Sequence, residues 1–206
     1  MIYKTQIKFL PLVFLFTVSF TVLGGLTNCR DKKQPETNQL NSSKLNVNVC
    51  DIISKQDIEK IFNVSINKVS NTVQNSDLEA QTFVSQCAYA AKSSGYKSIS
   101  IYLSYNGSVS NPKTFDGLVK ANTRLLNKNN QEEKKMVNGM KKAFLSGSKI
   151  NGLGDSGVWY NWSEIPSLLL FFNGHYKILI NLIGFDYNNQ TLKQAKDLAK
   201  KVITKV

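Results

Sequence analysis

Little in this chain can build a metal or nucleophile site. It has one histidine, His175, and three cysteines, Cys29, Cys50 and Cys87, in 206 residues. The cysteines form no close pair, so the spacing of a zinc site is missing. Asp155, Glu164 and Asp186 are scattered and read as turn formers and surface charges, so neither a metal nor a cofactor is expected. Acidic residues are scarce too, 14 against 26 Lys and Arg, for a formal net charge of +12. That excess favours anionic surfaces such as phospholipid head groups, envelope polymers or nucleic acid, of which nucleic acid is not expected here. The plain alternative is lysines on solvated helix faces.

Two short motifs lack the context they need. Gly152-Leu153-Gly154-Asp155-Ser156-Gly157 matches the letters of a dinucleotide fingerprint. That fingerprint needs a helix N-terminus after it to hold a pyrophosphate, and here an aromatic strand follows. A glycine-rich turn is the better reading. Gly154-Asp155-Ser156-Gly157 also resembles the nucleophile segment of a serine protease, with His175 further along. No nucleophile elbow accompanies it, so hydrolysis through Ser156 and His175 is only an alternative and no catalytic residue is assigned.

What the chain does have is an export leader. Lys4 and Lys8 are the only charged residues before Cys29, and residues 9–26 carry no charge. A positive start followed by an apolar run is the pattern of a signal peptide. Leu26-Thr27-Asn28-Cys29 then resembles a lipobox, with Asn28 where a small residue is usual. Residues 1–28 are therefore expected to be removed between Asn28 and Cys29, and Cys29 to carry the lipid. The competing reading is an uncleaved anchor, but about 18 apolar residues is near the minimum span. Pro11 and Gly24-Gly25 make that span a poor one. With Cys29 lipidated, an even pair of cysteines is left, as suits an oxidising compartment. Residues 29–48 are polar, without apolar period, and read as a flexible tether.

Residues 49–206 read as one domain. Ser54 is a natural N-cap with Asp57 three residues on, and Ile53 and Ile58 are placed for a hydrophobic staple. A helix over 55–62 follows, with Ile58, Ile61 and Phe62 as its buried stripe. Residues 64–73 alternate weakly, and 86–90 form a short run. Ile99, Ile101, Leu103 and Tyr105 alternate with polar residues, as in a half-buried antiparallel strand. Phe115, Leu118, Val119, Leu125 and Leu126 predict a helix over 114–128, which Gly117 weakens. The stretch 131–146 is ambiguous, although Met136, Met140 and Phe144 share one helical face. Strands are expected over 158–162, 167–172 and 175–183, the last two joined by an Asn173-Gly174 hairpin turn. The final helix puts Leu192, Ala195, Leu198, Ala199 and Val202 on one face and Lys193, Lys196, Lys200 and Lys201 largely on the other. The order predicts an α+β domain, with a mainly antiparallel sheet of about six strands and helices on one face. It also suggests two αβββ halves plus a C-terminal helix.

Three segments coincide with a known pattern: Cys50-Asp51-Ile52-Ile53-Ser54, Cys87-Ala88-Tyr89, and Gly152-Leu153-Gly154-Asp155 before an aromatic strand, hairpin and helix. Together they resemble the small exported lipoproteins known as the domain of unknown function 3558 family, and related extracytoplasmic sensor domains. Tyr89 replaces that family's Trp, and Gly157 its frequent Ala. The resemblance covers residues 48–206 and implies fold and location, not a reaction. It also implies a Cys50–Cys87 disulfide tying the first helix to the sheet.

Trp159 and Trp162 are the candidate ligand contacts, since an aromatic strand face can stack on a sugar or lipid. The alternative is that both fill the core and its rim. The sequence thus leads to a lipid-anchored, non-enzymatic envelope protein, attached to the membrane through Cys29 and meeting a protein or an anionic envelope polymer. A polyanion or membrane-surface binder, using lysines of the 120–149 region and the last helix, is the second reading.

Overall fold

The computed structural model describes residues 47–77, 81–92, 96–117, 120 and 131–206. The leader, the tether, the Asn28–Cys29 junction and most of the helix expected over 114–128 lie outside the described residues. Of that helix only residues 115–117 and 120 are described, and all four are helical.

The domain opens with two short helices, α1 (Val49–Ile52) and α2 (Lys55–Phe62). Asn48 caps α1 by accepting from the Cys50 amide. The expected capping box opens α2. The Ser54 hydroxyl accepts from the Asp57 amide, and the Asp57 carboxylate accepts from the Ser54 amide, both at 3.1 Å. These bonds satisfy orphan amides that a helix start leaves bare. Asn63 closes α2 in the left-handed region, with φ 52°.

Seven strands follow in two meanders: β1 (Ile66–Asp77), β2 (Thr82–Ala91) and β3 (Ser98–Asn106), then β4 (Ser148–Lys149), β5 (Ser156–Trp162), β6 (Ile165–Phe172) and β7 (Tyr176–Ile183). Between them runs α3 (Gln131–Leu145), and α4 (Asn189–Ile203) ends the chain. All strands pair antiparallel in one open sheet of order β1-β2-β3-β7-β6-β5-β4. The last strand therefore lies in the middle, where β7 pairs with β3 and joins the two meanders. This is the expected α+β class. The seventh strand is the two-residue β4 at one edge, too short to show as a periodic pattern.

Alternation along the strands sorts residues onto two faces. One face carries Cys87, Tyr89, Ile99, Ile101, Leu103, Leu168, Leu170, Ile178 and Ile180, all buried, against α1, α2 and α4. The apolar stripe of α4 faces this core as expected: Ala195, Leu198, Ala199 and Val202 are fully buried. The other face is covered toward β5 by a second, smaller cluster, in which Phe144 of α3 packs on Val158, Tyr160 and Leu169. The helices thus do not all share one face. The physical reason lies in β5 and β6. Their runs Ser156–Tyr160 and Pro166–Leu170 are buried without alternation, so they need a layer on each side.

The Asn173-Gly174 turn has both residues at positive φ, 48° and 74°, as the hairpin requires. The β5–β6 hairpin uses the same geometry at Ser163 and Glu164, φ 51° and 64°, with no glycine to announce it. Among the described residues no helix is long and apolar enough to cross a membrane.

Candidate functional site

The outer face of the sheet, opposite the main core, is the surface whose chemistry is least explained by packing. The register lines up its residues in rows. Thr72, Gln86, Tyr102, Leu179, Leu169 and Val158 form one row across six strands. Ser70, Ala88, Ser100, Asn181, Ser167 and Tyr160 form the next. On the other side of the first row lie Val84, Ser104, Lys177, Phe171 and Ser156. Beneath α3 these rows are apolar, and toward β3 and β2 they turn polar.

Hydrogen bonds knit the polar part. Gln86 Nε2 donates to the Tyr102 hydroxyl at 2.9 Å, and the Ser167 hydroxyl donates to Asn181 Oδ1 at 2.9 Å. Burial pushes the Tyr160 phenol up to about 12, offset in part by a hydrogen bond with Ser167. Burial also raises Tyr102, so both phenols keep their protons at neutral pH. Lys177 is half-buried on the central strand, and burial lowers its pKa because desolvation disfavours the charged form.

Cys50 and Cys87 are disulfide-bonded, with their Cα atoms 5.2 Å apart. The bond joins α1 to β2, on the core face. Asn28 and Cys29 lie outside the described residues.

The two tryptophans lie on opposite faces of β5, as strand alternation requires. Trp159 turns into the main core, is 3% exposed, and stacks on Tyr187 with ring centroids 5.2 Å apart. It is a core residue rather than a ligand contact. Trp162, on the opposite face, is half-buried at the rim of the cluster under α3. Strand alternation separates the pair.

The Gly152–Gly157 segment is a turn into β5. Gly154 sits at φ 76°, and an added Cβ would lie 2.5 Å from the Phe171 carbonyl oxygen, so only glycine fits the approach. Asp155 clasps the neighbouring hairpin, its amide donating to Phe171 at 2.7 Å and its carboxylate accepting from the Gly174 amide at 2.9 Å. The Ser156 hydroxyl donates to the Pro112 carbonyl. His175 Nδ1 meets the carbonyl oxygens of Asn106 and Val109 at 2.9 and 3.2 Å. Serine and histidine thus each tether a different piece of backbone. Among the described residues no three His, Cys, Asp or Glu side chains gather as a metal cluster.

The basic residues of α4 are partly engaged. Lys201 bonds Asp57 at 2.9 Å, Lys200 lies 4.0 Å from Asp197, and Lys205 donates to the Ile52 carbonyl at 2.7 Å. Lys141, Lys142 and Lys149 are exposed, with Lys149 over the Phe115 ring.

Sequence reasoning singled out neither Lys177 nor Tyr102. The available signal was the lone lysine in the apolar run from Tyr176 to Ile183. Comparison with protein-family models, curated proteins and solved structures finds no match.

Proposed function

We propose that this chain is an exported lipoprotein, held at the cell envelope through a lipid on Cys29, and that its α+β unit is a non-enzymatic binding module. The observation that carries the reading is the Cys50–Cys87 bond. It uses two of the three cysteines and leaves Cys29, the one that follows the apolar leader, for lipid. A structural disulfide suits an oxidising compartment, whereas cytosolic thiols are kept reduced. The lipobox-like Leu26–Cys29 and the resemblance to the lipoprotein family are in keeping with this. One acyl chain anchors marginally and several anchor firmly, at about 0.8 kcal/mol per buried CH₂, so full acylation of Cys29 would hold the chain at the surface.

The half-buried polar rows of the outer sheet face are the binding surface in this reading. A polyanion surface on α4 is the weaker reading, because acidic side chains already accompany Lys200 and Lys201. Mass spectrometry of the mature N-terminal peptide from the membrane fraction tests the anchor. A diacylglyceryl-modified Cys29 is expected, and Cys29→Ala should move the chain out of the membrane fraction. An unmodified N-terminus, still carrying residues 1–28, overturns the reading.

A further inference from the structure

Lys177 lies on the middle strand of the sheet, and three features of its surroundings define its chemistry. The first is that no counter-charge faces it from the neighbouring described strands. Outer-face positions of β2, β3, β7, β6 and β5 hold no aspartate or glutamate, and Lys177 joins none of the ion pairs among the described residues. The second is a set of hydroxyl donors. Ser104 is directly across from it on β3. Tyr102, one row away, accepts from Gln86, which leaves the phenol proton for another acceptor. The third is half-burial, which strips the ammonium of part of its hydration, with desolvation the sole cause of its lowered pKa. A desolvated cation beside hydroxyl groups, and outside every ion pair among the described residues, lacks the partner that buried charges normally have.

We infer that this patch binds a small organic anion through a carboxylate or phosphate group, with Lys177 supplying the charge and the Tyr102 and Ser104 hydroxyls donating hydrogen bonds. Leu179 and Phe171, beside Lys177 on the same face, are partly buried against the cluster under α3, and their remaining exposed edges receive the apolar body of the ligand. The arrangement favours an anion because the ammonium can only donate and both hydroxyls can donate to the same ligand. The inference rests on reading the unit as a binding module and names its ligand class.

The test uses the full chain in uncharged detergent, without reductant and at constant ionic strength. Chloride is replaced by inorganic phosphate or by acetate, or a short-chain phosphatidylglycerol is added, and thermal unfolding is followed. At ten times the dissociation constant, the binding anion should raise the midpoint by about 3–5 °C. Lys177→Arg should retain the shift, Lys177→Gln should lose it, and the exposed-site control Lys142→Gln should keep it. Unchanged circular dichroism of Lys177→Gln shows that the variant folds. A shift with the free ions identifies a soluble anion, and a shift with the phosphatidylglycerol alone identifies a lipid headgroup. Equal shifts in wild type and Lys177→Gln, or none with any of the three probes, overturn the site. Neither result touches the anchor, which the Cys29 peptide reads separately.

Discussion

The hydroxyl of Tyr89 on β2 donates to the carbonyl oxygen of Ile53, 36 residues earlier, at 2.6 Å. Both residues are buried, 1% exposed each, so the bond closes the junction between α1 and α2 against the sheet where water does not reach. Burial, with the Asp57 charge adding to it, holds the Tyr89 phenol well above its ordinary value and fixes it as a donor. Tyr89→Phe keeps the ring and strands the carbonyl. It should lower stability by about 1–2 kcal/mol. Urea unfolding at unchanged slope would report the loss, and a variant as stable as the wild type would show that the bond contributes nothing.

The disulfide acts on the same junction. Cys50 and Cys87 close a loop of sequence separation 37. The chain-entropy model gives about 4 kcal/mol for such a loop. The double variant Cys50→Ala/Cys87→Ala should lose stability of that order in chemical denaturation. Reductant should destabilise the wild type and leave the double variant unaffected.

Asp57 makes stability depend on acid. The hydrogen bond from Lys201, the largest influence, holds its carboxyl at about 2 against an ordinary 3.8. A carboxyl with a depressed folded-state pKa stabilises the fold above its unfolded value, and that contribution is lost as the pH falls through about 4 to 2. Lys201 is half-exposed, so solvent screening keeps the effect to roughly 1 kcal/mol. Lys201→Met should flatten the stability profile over that window and leave it little changed in shape near neutrality. An identical acid limb in both proteins would refute the assignment.

Trp159→Ala should be far more damaging than Trp162→Ala. The first empties a core position stacked on Tyr187 and should cost about 3–5 kcal/mol. The second trims the rim of the smaller cluster. Equal losses in thermal unfolding would mean that the two faces of β5 are packed alike.

Gly154→Ala tests the clasp between the turn and the β6–β7 hairpin. The residue has φ 76°, and its Cβ would meet the Phe171 oxygen at 2.5 Å. Strain of this kind costs on the order of 1–3 kcal/mol. Gly152→Ala, at φ 72° with open space around it, should be milder. If the two variants melt together, the close approach carries no weight.

Local signals in the sequence were legible wherever one residue or one turn of chain determines the geometry. Ser54 with Asp57 marks the start of α2, and Asn173-Gly174 marks the last hairpin. The Ser163-Glu164 turn has the same backbone but residues with little preference for positive φ, so nothing in the sequence marks it. Strand alternation already places Trp159 and Trp162 on opposite faces of β5, but how far each face is covered is decided only by the packing of the main core on one side and of α3 on the other.

By itself, the sequence determined the caps, the turn at Asn173-Gly174, the apolar stripe of α4 and the α+β class, because these follow from side-chain to backbone bonds, allowed φ and local periodicity. Tertiary structure alone decided that β7 enters beside β3, that α3 covers the face opposite the other helices, and that Lys177 is set among Tyr102 and Ser104. Those outcomes depend on which distant strands share an edge. Strand pairing is made by backbone groups that every residue carries, so no short motif records it. The partner of each strand is chosen only when all the apolar faces are buried together.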